Sequence, residues 1–374
     1  MRGYILIAAI TAVVSFAMTW VVWRVAMRFK LYPAIRARDV HKRPTPRLGG
    51  IAIFVAFAVA ILIASQIGWF SRLFEGSQLW ALLAAAAFVC ALGIVDDIWD
   101  LDWYTKLAGQ FLVAWWLAWR GFQIVSLPID GVVIGSGLGL LIVTMLAIVL
   151  VMNAVNFIDG LDGLVSGVVL IAGSVFFLYS YMVSVQTTPN AANNYFTMAS
   201  LIAVVTVAAV AGFLPFNWHP AKIFLGDSGA LQLGMFLSVA SIAVTGQVDP
   251  SFLEKRSLWL PTMMPMIVPL AILIAPLLDF TLAVVRRLRA GKSPFAADRK
   301  HLHHRMLDIG HGTVSAVFVF YAWTLLVSLC SLALMFWRWQ EVFPFALIGL
   351  VGCVLLTMRP VIERWIRRRR RAGT

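Results

Sequence analysis

Three carboxylates lie within five residues at the end of an apolar run, at Asp96, Asp97 and Asp100. The negative charges of the adjacent Asp96 and Asp97 repel each other, and an ionised acid at the edge of a membrane has an unfavourable free energy. A bound cation explains such a pair, and Mg²⁺ fits best because it prefers oxygen ligands and phosphates. The alternative is a solvated loop, because Asp102 and Lys106 follow closely.

A second polar segment joins two other apolar runs. Its four polar side chains are spaced by three: Asn153, Asn156, Asp159 and Asp162. Residues three apart share a helix face, but an unbroken helix would turn about 900° over the whole segment and separate its ends. We expect Gly160 and Gly163 to break the helix, so that all four groups converge on one ligand. Two amides and two acids can hydrogen-bond to a nucleotide base or a sugar and can also ligate a metal ion. The alternative is a simple turn at the membrane interface, but such a turn would need only a single Gly-Asp pair and not four ordered polar positions.

A third segment combines Lys222 with Gly226, Asp227, Ser228 and Gly229 ahead of an apolar run. The glycines allow close backbone approach, Ser228 is expected to cap the following helix, and a helix N-terminus favours phosphate. An ordinary Asp/Ser cap is the alternative interpretation. Two other acidic segments on the same side favour Asp227 as a metal ligand.

Two basic segments complete the set. One segment contains three histidines next to Arg299: His301, His303 and His304. This composition suits binding of phosphate oxygens. A single zinc ion fits less well, because His303 does not lie on the helix face that His301 and His304 share. The alternative is a basic loop with incidental histidines. Earlier in the chain, Lys42 and Arg47 lie in an extended Pro-rich loop that either closes over an anionic nucleotide or touches acidic headgroups.

The elements that carry these residues are membrane helices. The chain has 374 residues, of which 61% are hydrophobic and 13% charged, and its mean hydropathy is +0.89. Soluble domains are about a quarter charged, so the composition excludes a soluble enzyme, a disordered chain and a nucleic-acid-binding domain.

Because a span needs roughly 20 apolar residues, the sequence predicts an all-α polytopic membrane protein with about eleven transmembrane helices in one domain covering 1–374. The predicted spans are about 4–23, 49–70, 79–97, 104–121, 132–152, 164–185, 196–214, 229–246, 261–285, 313–337 and 343–360.

The distribution of charge predicts the orientation. One side carries 24 of the 30 Lys and Arg residues and all six histidines. The positive-inside rule makes that side cytoplasmic, with the N-terminus outside and the C-terminus inside. The net charge of +13 therefore reflects topology rather than nucleic-acid binding. We expect the active site to be formed by the cytoplasmic loops at about 24–48, 96–106, 153–163, 214–228 and 286–312.

The four motifs in this order resemble the polyprenyl-phosphate N-acetylhexosamine-1-phosphate transferases, in the superfamily that includes phospho-N-acetylmuramoyl-pentapeptide transferase. They are D-D-x-x-D from Asp96, N-x-x-N-x-x-D-G-x-D-G-L from Asn153, P-A-K-x-F-x-G-D-x-G from Pro220 and H-x-H-H from His301. The resemblance implies a multi-pass enzyme of the bacterial plasma membrane. Its reaction joins a UDP-sugar and a polyprenyl phosphate, undecaprenyl or decaprenyl, to give the polyprenyl-diphosphate sugar and UMP.

The resemblance also implies roles. Asp227 matches the Mg²⁺ ligand, with Asn156 and Asp97 beside it, and Mn²⁺ is an alternative ion. One member of the Asp96–Asp97 pair is expected to deprotonate the lipid phosphate. The remaining matched or basic residues are expected at the substrates: Asn153, Asp159, Asp162, Lys42, Arg47, Lys106, Lys222, Arg299, His301, His303 and His304.

The His301-Leu-His303-His304 run resembles the N-acetylglucosamine branch and favours UDP-N-acetylglucosamine as donor. The alternatives are UDP-N-acetylmuramoyl-pentapeptide or another UDP-N-acetylhexosamine. A membrane prenyltransferase also uses Asp-rich Mg²⁺ sites but leaves the Asn153 and His301 motifs unexplained. A homodimer is compatible with the sequence.

Overall fold

The computed structural model describes residues 1–32, 45–124, 128–129, 132–133, 137–187, 197–245, 274–289, 291 and 302–372. Within these residues the chain is almost entirely helical. The helices are α1 Arg2–Arg28, α2 Gly49–Gln66, α3 Gln78–Trp99, α4 Trp103–Trp119, α5 Gly137–Ile158, α6 Leu164–Thr187, α7 Met198–Asn217, α8 Gly226–Thr245, α9 Ile274–Arg289, α10 Leu302–Ile309, α11 Thr313–Ala333 and α12 Trp339–Ala372. A short 3₁₀ helix, Gly68–Phe74, follows α2. The one departure from the all-α prediction among these residues is a two-stranded antiparallel hairpin, β1 Pro128–Ile129 and β2 Val132–Val133.

The polytopic membrane architecture is confirmed. In the described part of the chain, nine helices are long and apolar enough to cross a bilayer, with mean hydropathies between 1.3 and 2.6 over their apolar stretches. Helix α4, with 17 residues, is too short to be counted among them. The span expected at 261–285 is described only from Ile274 onward. The count of eleven and the orientation of the termini therefore stay predictions.

Helices α7 and α8 form the centre of the helix bundle. They have 78% and 83% of their apolar stretches inside the protein, against 6% for α12. Helix α7 packs against α1, α2 and α6, and α8 packs against α2, α3 and α5. Small residues permit close contact between these helices: a Cβ atom added at Gly93 of α3 would lie 2.2 Å from Ser228 Cα. The start of α8 is thus in backbone contact with α3.

The predicted helix break in the Asn153 motif is confirmed. Helix α5 ends at Ile158 and α6 begins at Leu164, so the connecting turn contains both Gly160 and Gly163. Helix α3 ends at Trp99, and the next residue, Asp100, adopts the left-handed conformation with its N–H bonded to the Asp96 carbonyl at 2.8 Å. These helix ends position the polar residues of the candidate site.

Candidate active site

Polar residues from four helices meet at one end of the bundle. Asp96 and Asp97 lie in the last turn of α3, and Lys106 lies in the first turn of α4. Asn156 is in the last turn of α5, and Asp227 is the second residue of α8. Because α8 packs against both α3 and α5, residues separated by more than 100 positions along the chain come into contact.

Asp227 lies at the centre of this cluster. Its Oδ1 accepts a hydrogen bond from Asn156 Nδ2 at 2.8 Å, and its Oδ2 is in contact with Lys106 Nζ. The preceding Gly226 has φ +71°, a conformation that side chains disfavour. A Cβ atom there would also lie 2.1 Å from the Arg47 carbonyl oxygen. Glycine is therefore required for α8 to begin this close to its neighbours.

Lys106 lies between two carboxylates from different helices. Besides its contact with Asp227, its Nζ is 2.8 Å from Asp96 Oδ2. The other oxygen of Asp96, Oδ1, accepts the Leu101 N–H at 3.1 Å. The side chains of Lys106, Asp96 and Asp227 are only 18%, 10% and 31% exposed, so the bulk solvent screens this ion-pair network weakly. Lys106, which the alternative interpretation of the sequence placed in a solvated loop, is thus part of the acidic cluster.

Asp97 faces a different neighbour from Asp96. Its Oδ1 accepts the Asp227 N–H at 3.3 Å, and its Oδ2 accepts the Ser228 N–H at 3.5 Å. The prediction that Ser228 caps α8 is wrong. Ser228 is the third residue of the helix, and its buried Oγ has no hydrogen-bond partner among the described residues.

Two residues of the Asn153 motif are engaged by other parts of the protein. Asn153 exchanges amide hydrogen bonds with Gln110 of α4. Asp162 is buried, and its Oδ2 accepts the Ala221 N–H at 3.0 Å and lies 2.8 Å from His219 Nδ1. The four polar groups therefore do not all point at one position, because only Asn156 is hydrogen-bonded to Asp227.

Asp159 lies in the turn between α5 and α6, close enough to Asp227 and Arg47 for their charges to act on it. Burial raises the pKa of Asp159 to about 7, and the negative charge of Asp227 adds to the rise, whereas Arg47 opposes it. The carboxyl group therefore titrates near neutral pH.

A cavity of about 330 Å³ opens onto the cluster. Arg47, Asp96, Asp97 and Asp227 line it, and the segment from Lys30 to Tyr32 at the end of α1 forms another wall. Such a cavity offers both acidic groups and cations to an anionic ligand.

Not every predicted substrate residue is at this cavity. Lys222 places its Nζ 5.5 Å from the centre of the Trp23 ring and 5.8 Å from that of Phe216, in a cation–π arrangement. Lys42, Arg299 and His301 lie outside the described residues. The backbone of His303 and His304 lies in α10, but their side chains are outside the described part.

Gln110 and His219 were missed as partners of motif residues. Gln110 was detectable as an amide one helical turn after Lys106, and His219 as a histidine beside the P-A-K motif. No sequence signal indicated which motif residue each would contact.

Comparisons with known proteins identify the family of this chain. The sequence model of glycosyl transferase family 4 matches residues 79–245, which contain Asp96, Asp97, Asn156 and Asp227. A decaprenyl-phosphate N-acetylglucosaminephosphotransferase of Mycolicibacterium smegmatis is 34% identical over 97% of this chain and 90% of its own length.

Two further relatives extend the comparison. A probable undecaprenyl-phosphate N-acetylglucosaminyl 1-phosphate transferase of Bacillus subtilis is 30% identical over 84% of this chain and 80% of its own. A phospho-N-acetylmuramoyl-pentapeptide-transferase of Halalkalibacterium halodurans is 33% identical over 64% of this chain and 75% of its own. With one relative similar over nearly its full length and the acidic cluster inside the matched region, the chain belongs to the family of polyprenyl-phosphate N-acetylhexosamine-1-phosphate transferases, glycosyl transferase family 4.

Proposed function

We propose that this protein transfers N-acetylglucosamine-1-phosphate from UDP-N-acetylglucosamine to a polyprenyl phosphate and releases UMP. The observation that carries the proposal is the contact of Asp227 with Asn156 and Lys106 at the ends of membrane helices, inside the region shared with the family. The relatives similar over more than 80% of this chain are named for N-acetylglucosamine transfer, whereas the muramoyl-pentapeptide relative covers 64%. N-acetylglucosamine is therefore the sugar we propose.

In the reaction, an oxygen of the lipid phosphate attacks the phosphorus that carries the sugar. The bond from that phosphorus to the bridging oxygen breaks, and UMP leaves with the bridging oxygen. One phosphoanhydride replaces another, so the protein's task is to position two anions and offset their charge. Arg47 in the cavity wall supplies positive charge to the substrates, and Lys106 adds positive charge from its position between Asp96 and Asp227.

A divalent cation fits the residues of the cluster. Asp96 and Asp227 already hold the Lys106 ammonium between them, so their oxygens surround a position that favours positive charge. Asp227 and the Asn156 amide oxygen would hold Mg²⁺ or Mn²⁺, with the charge of Asp96 nearby, since these ions prefer oxygen ligands. Such an ion, when bound, neutralises diphosphate charge and polarises the phosphorus–oxygen bond. Among the described residues, no three His, Cys, Asp or Glu side chains form a ready metal cluster, so we expect the donor sugar's diphosphate to complete the ligand set.

The proposed role of Asp96 is proton acceptance from the lipid phosphate. A phosphate monoester has a second pKa near 6, so a base is useful only below about pH 6.5 or where the local field raises that pKa. The Asp227 carboxylate beside Asp96 contributes such a field, partly offset by Lys106, which lies between the two.

The membrane arrangement belongs to the same proposal. We place the cluster on the cytoplasmic side of a bacterial plasma membrane, in one domain of about eleven spans with the N-terminus outside, on the evidence of the basic residues gathered on that side. The homodimer stays a prediction.

The test uses the full chain in detergent with a polyprenyl phosphate and radiolabelled donors. Label from UDP-N-acetylglucosamine should enter a lipid product with release of UMP, and the Asp227→Asn variant should transfer at least about tenfold less label at limiting Mg²⁺. Transfer of label only from UDP-N-acetylmuramoyl-pentapeptide would change the sugar. Activity only with a prenyl diphosphate would instead make the protein a prenyltransferase and contradict the proposal.

A further inference from the structure

We infer that Asp97 is a positioning residue: from the end of α3 it caps the N-terminus of α8 and so fixes Asp227. The inference deepens the proposed function and rests on it for its kinetic consequence. The capping contact itself is a property of the fold. It is independent of which substrate the protein uses.

The start of α8 lacks a cap of its own. The residue before the helix is Leu225, whose side chain has no acceptor, and Gly226 has no side chain. Ser228 Oγ makes no hydrogen bond to any described residue. The first N–H groups of a helix have no intrahelical acceptor and are costly to bury unpaired. A carboxylate from another helix satisfies them instead.

Asp97 meets this requirement with both oxygens. Oδ1 lies 3.3 Å from the Asp227 nitrogen and Oδ2 lies 3.5 Å from the Ser228 nitrogen, so one carboxylate covers two successive N–H groups. Its negative charge is also at the positive end of the α8 dipole. The 20-residue length of α8 gives that dipole its full strength.

The end of α3 and the start of α8 are packed too closely for another arrangement of the two helices. A Cβ atom at Gly226 would come within 2.6 Å of Asp97 Oδ2, and one at Gly93 would come within 2.2 Å of Ser228 Cα. The ends of α3 and α8 therefore meet at backbone distance. Consecutive residues of a helix differ by about 100° in direction, so Asp96 on the same turn faces Lys106 instead.

The two aspartates thus divide their tasks. Asp96 belongs to the charged cluster that meets the substrates, whereas Asp97 holds the backbone from which the Asp227 carboxylate reaches Asn156. Without the cap, the first turn of α8 can shift. A displacement of about 1 Å in such a site costs on the order of 100-fold in rate.

The experiment compares Asp97→Ala, which removes both acceptors, with Asp97→Asn, which keeps one acceptor without the charge. Asp102→Asn is the matched control, because this acid of the same segment is exposed and its carboxylate accepts a hydrogen bond from the Tyr104 hydroxyl rather than from α8. Hydrogen–deuterium exchange of the full chain in detergent measures the protection of the first turn of α8. Initial rates between pH 6 and pH 9 measure the activity.

We expect Asp97→Ala to increase exchange at residues 226–230 at least about fivefold and to lower kcat at least about tenfold. Asp97→Asn should retain several times the activity of Asp97→Ala, with the pH profile of the unsubstituted protein. Asp102→Asn should match the unsubstituted protein in both measurements.

Unchanged exchange in the Asn and Ala variants, with equal loss of activity in both, would overturn the inference and make Asp97 a base or a metal ligand. Recovery of the Asn variant at high pH would do the same. If Asp97→Ala fails to fold, exchange in Asp97→Asn still decides the question. Absence of any UDP-N-acetylglucosamine activity in the unsubstituted protein would refute the proposed function while leaving the exchange measurement of the cap valid.

Discussion

Replacing Lys106 by Met removes the one cation that the described structure places between Asp96 and Asp227. The methionine side chain has a similar length and remains compatible with the first turn of α4. The carboxylates are then left facing each other without compensation. We expect the metal-free protein to lose stability and Mg²⁺ to restore it, because the ion takes the position of the ammonium group.

The size of the effect follows from the exposure of the network. Removing one partner of a fully buried ion pair costs about 3–5 kcal/mol, and surface pairs contribute about 0–1 kcal/mol. Side chains that are 18%, 10% and 31% exposed lie between these limits, so we expect a loss of about 2 kcal/mol. With an unfolding entropy of about 2.1 cal/mol/K per residue, this corresponds to a decrease in Tm of about 2–3 °C.

Thermal unfolding in detergent, followed by tryptophan fluorescence, measures this difference with and without Mg²⁺. The increase in Tm on adding Mg²⁺ should be larger in Lys106→Met than in the unsubstituted protein, since no ammonium has to be displaced. Lys222→Met is the matched control, because that lysine contacts aromatic rings rather than acids and should give a Mg²⁺-independent change of about 1 °C or less. Equal Mg²⁺ responses in Lys106→Met and the unsubstituted protein would refute the assignment of this position to a cation.

Three further predictions address the ligand, the titration and the topology. Asp227→Asn should keep the fold but lower turnover at limiting Mg²⁺ at least about tenfold, and near-normal turnover there would contradict a metal-ligand role. Because the native pKa of Asp159 is raised to about 7 from 3.8, its carboxyl group destabilises the native state as pH rises between those values. Asp159→Asn should therefore gain stability over the unsubstituted protein between pH 5 and pH 8 without metal, and a pH-independent difference in Tm would contradict this. An impermeant thiol reagent applied to intact cells should label Ser77→Cys but not Thr105→Cys, and the reverse pattern would overturn the orientation.

Much of the fold could be predicted because its signals are local. Apolar runs of about 20 residues specify the spans, and the glycines between Asp159 and Leu164 specify the break between α5 and α6. The acidic segments could be placed at helix ends for the same reason, since ionised side chains are excluded from the apolar interior. The hairpin at Pro128–Val133 could not be foreseen, because two-residue strands carry no periodic pattern.

Contacts between segments that are distant along the chain could not be predicted from the sequence. Lys106 meets Asp227 across 121 positions, and Asp162 meets His219 across 57. Which residues face each other depends on how the helices are rotated and how closely they approach, and residue spacing along one segment contains neither quantity. The Ser228 cap failed for this reason: a serine near a helix start is a local signal, but here the acceptor comes from another helix.

The Asp96–Asp97 pair shows what adjacency in sequence conceals. Two neighbouring acids suggest one shared task, such as holding a metal ion between them. On a helix, however, neighbours point about 100° apart, so two other helices packed against that turn can each receive one carboxylate. Here α4 provides Lys106 to Asp96, and α8 provides its unpaired N–H groups to Asp97. The motif therefore requires two acids because one must present charge to the site while the other holds the helix that carries Asp227.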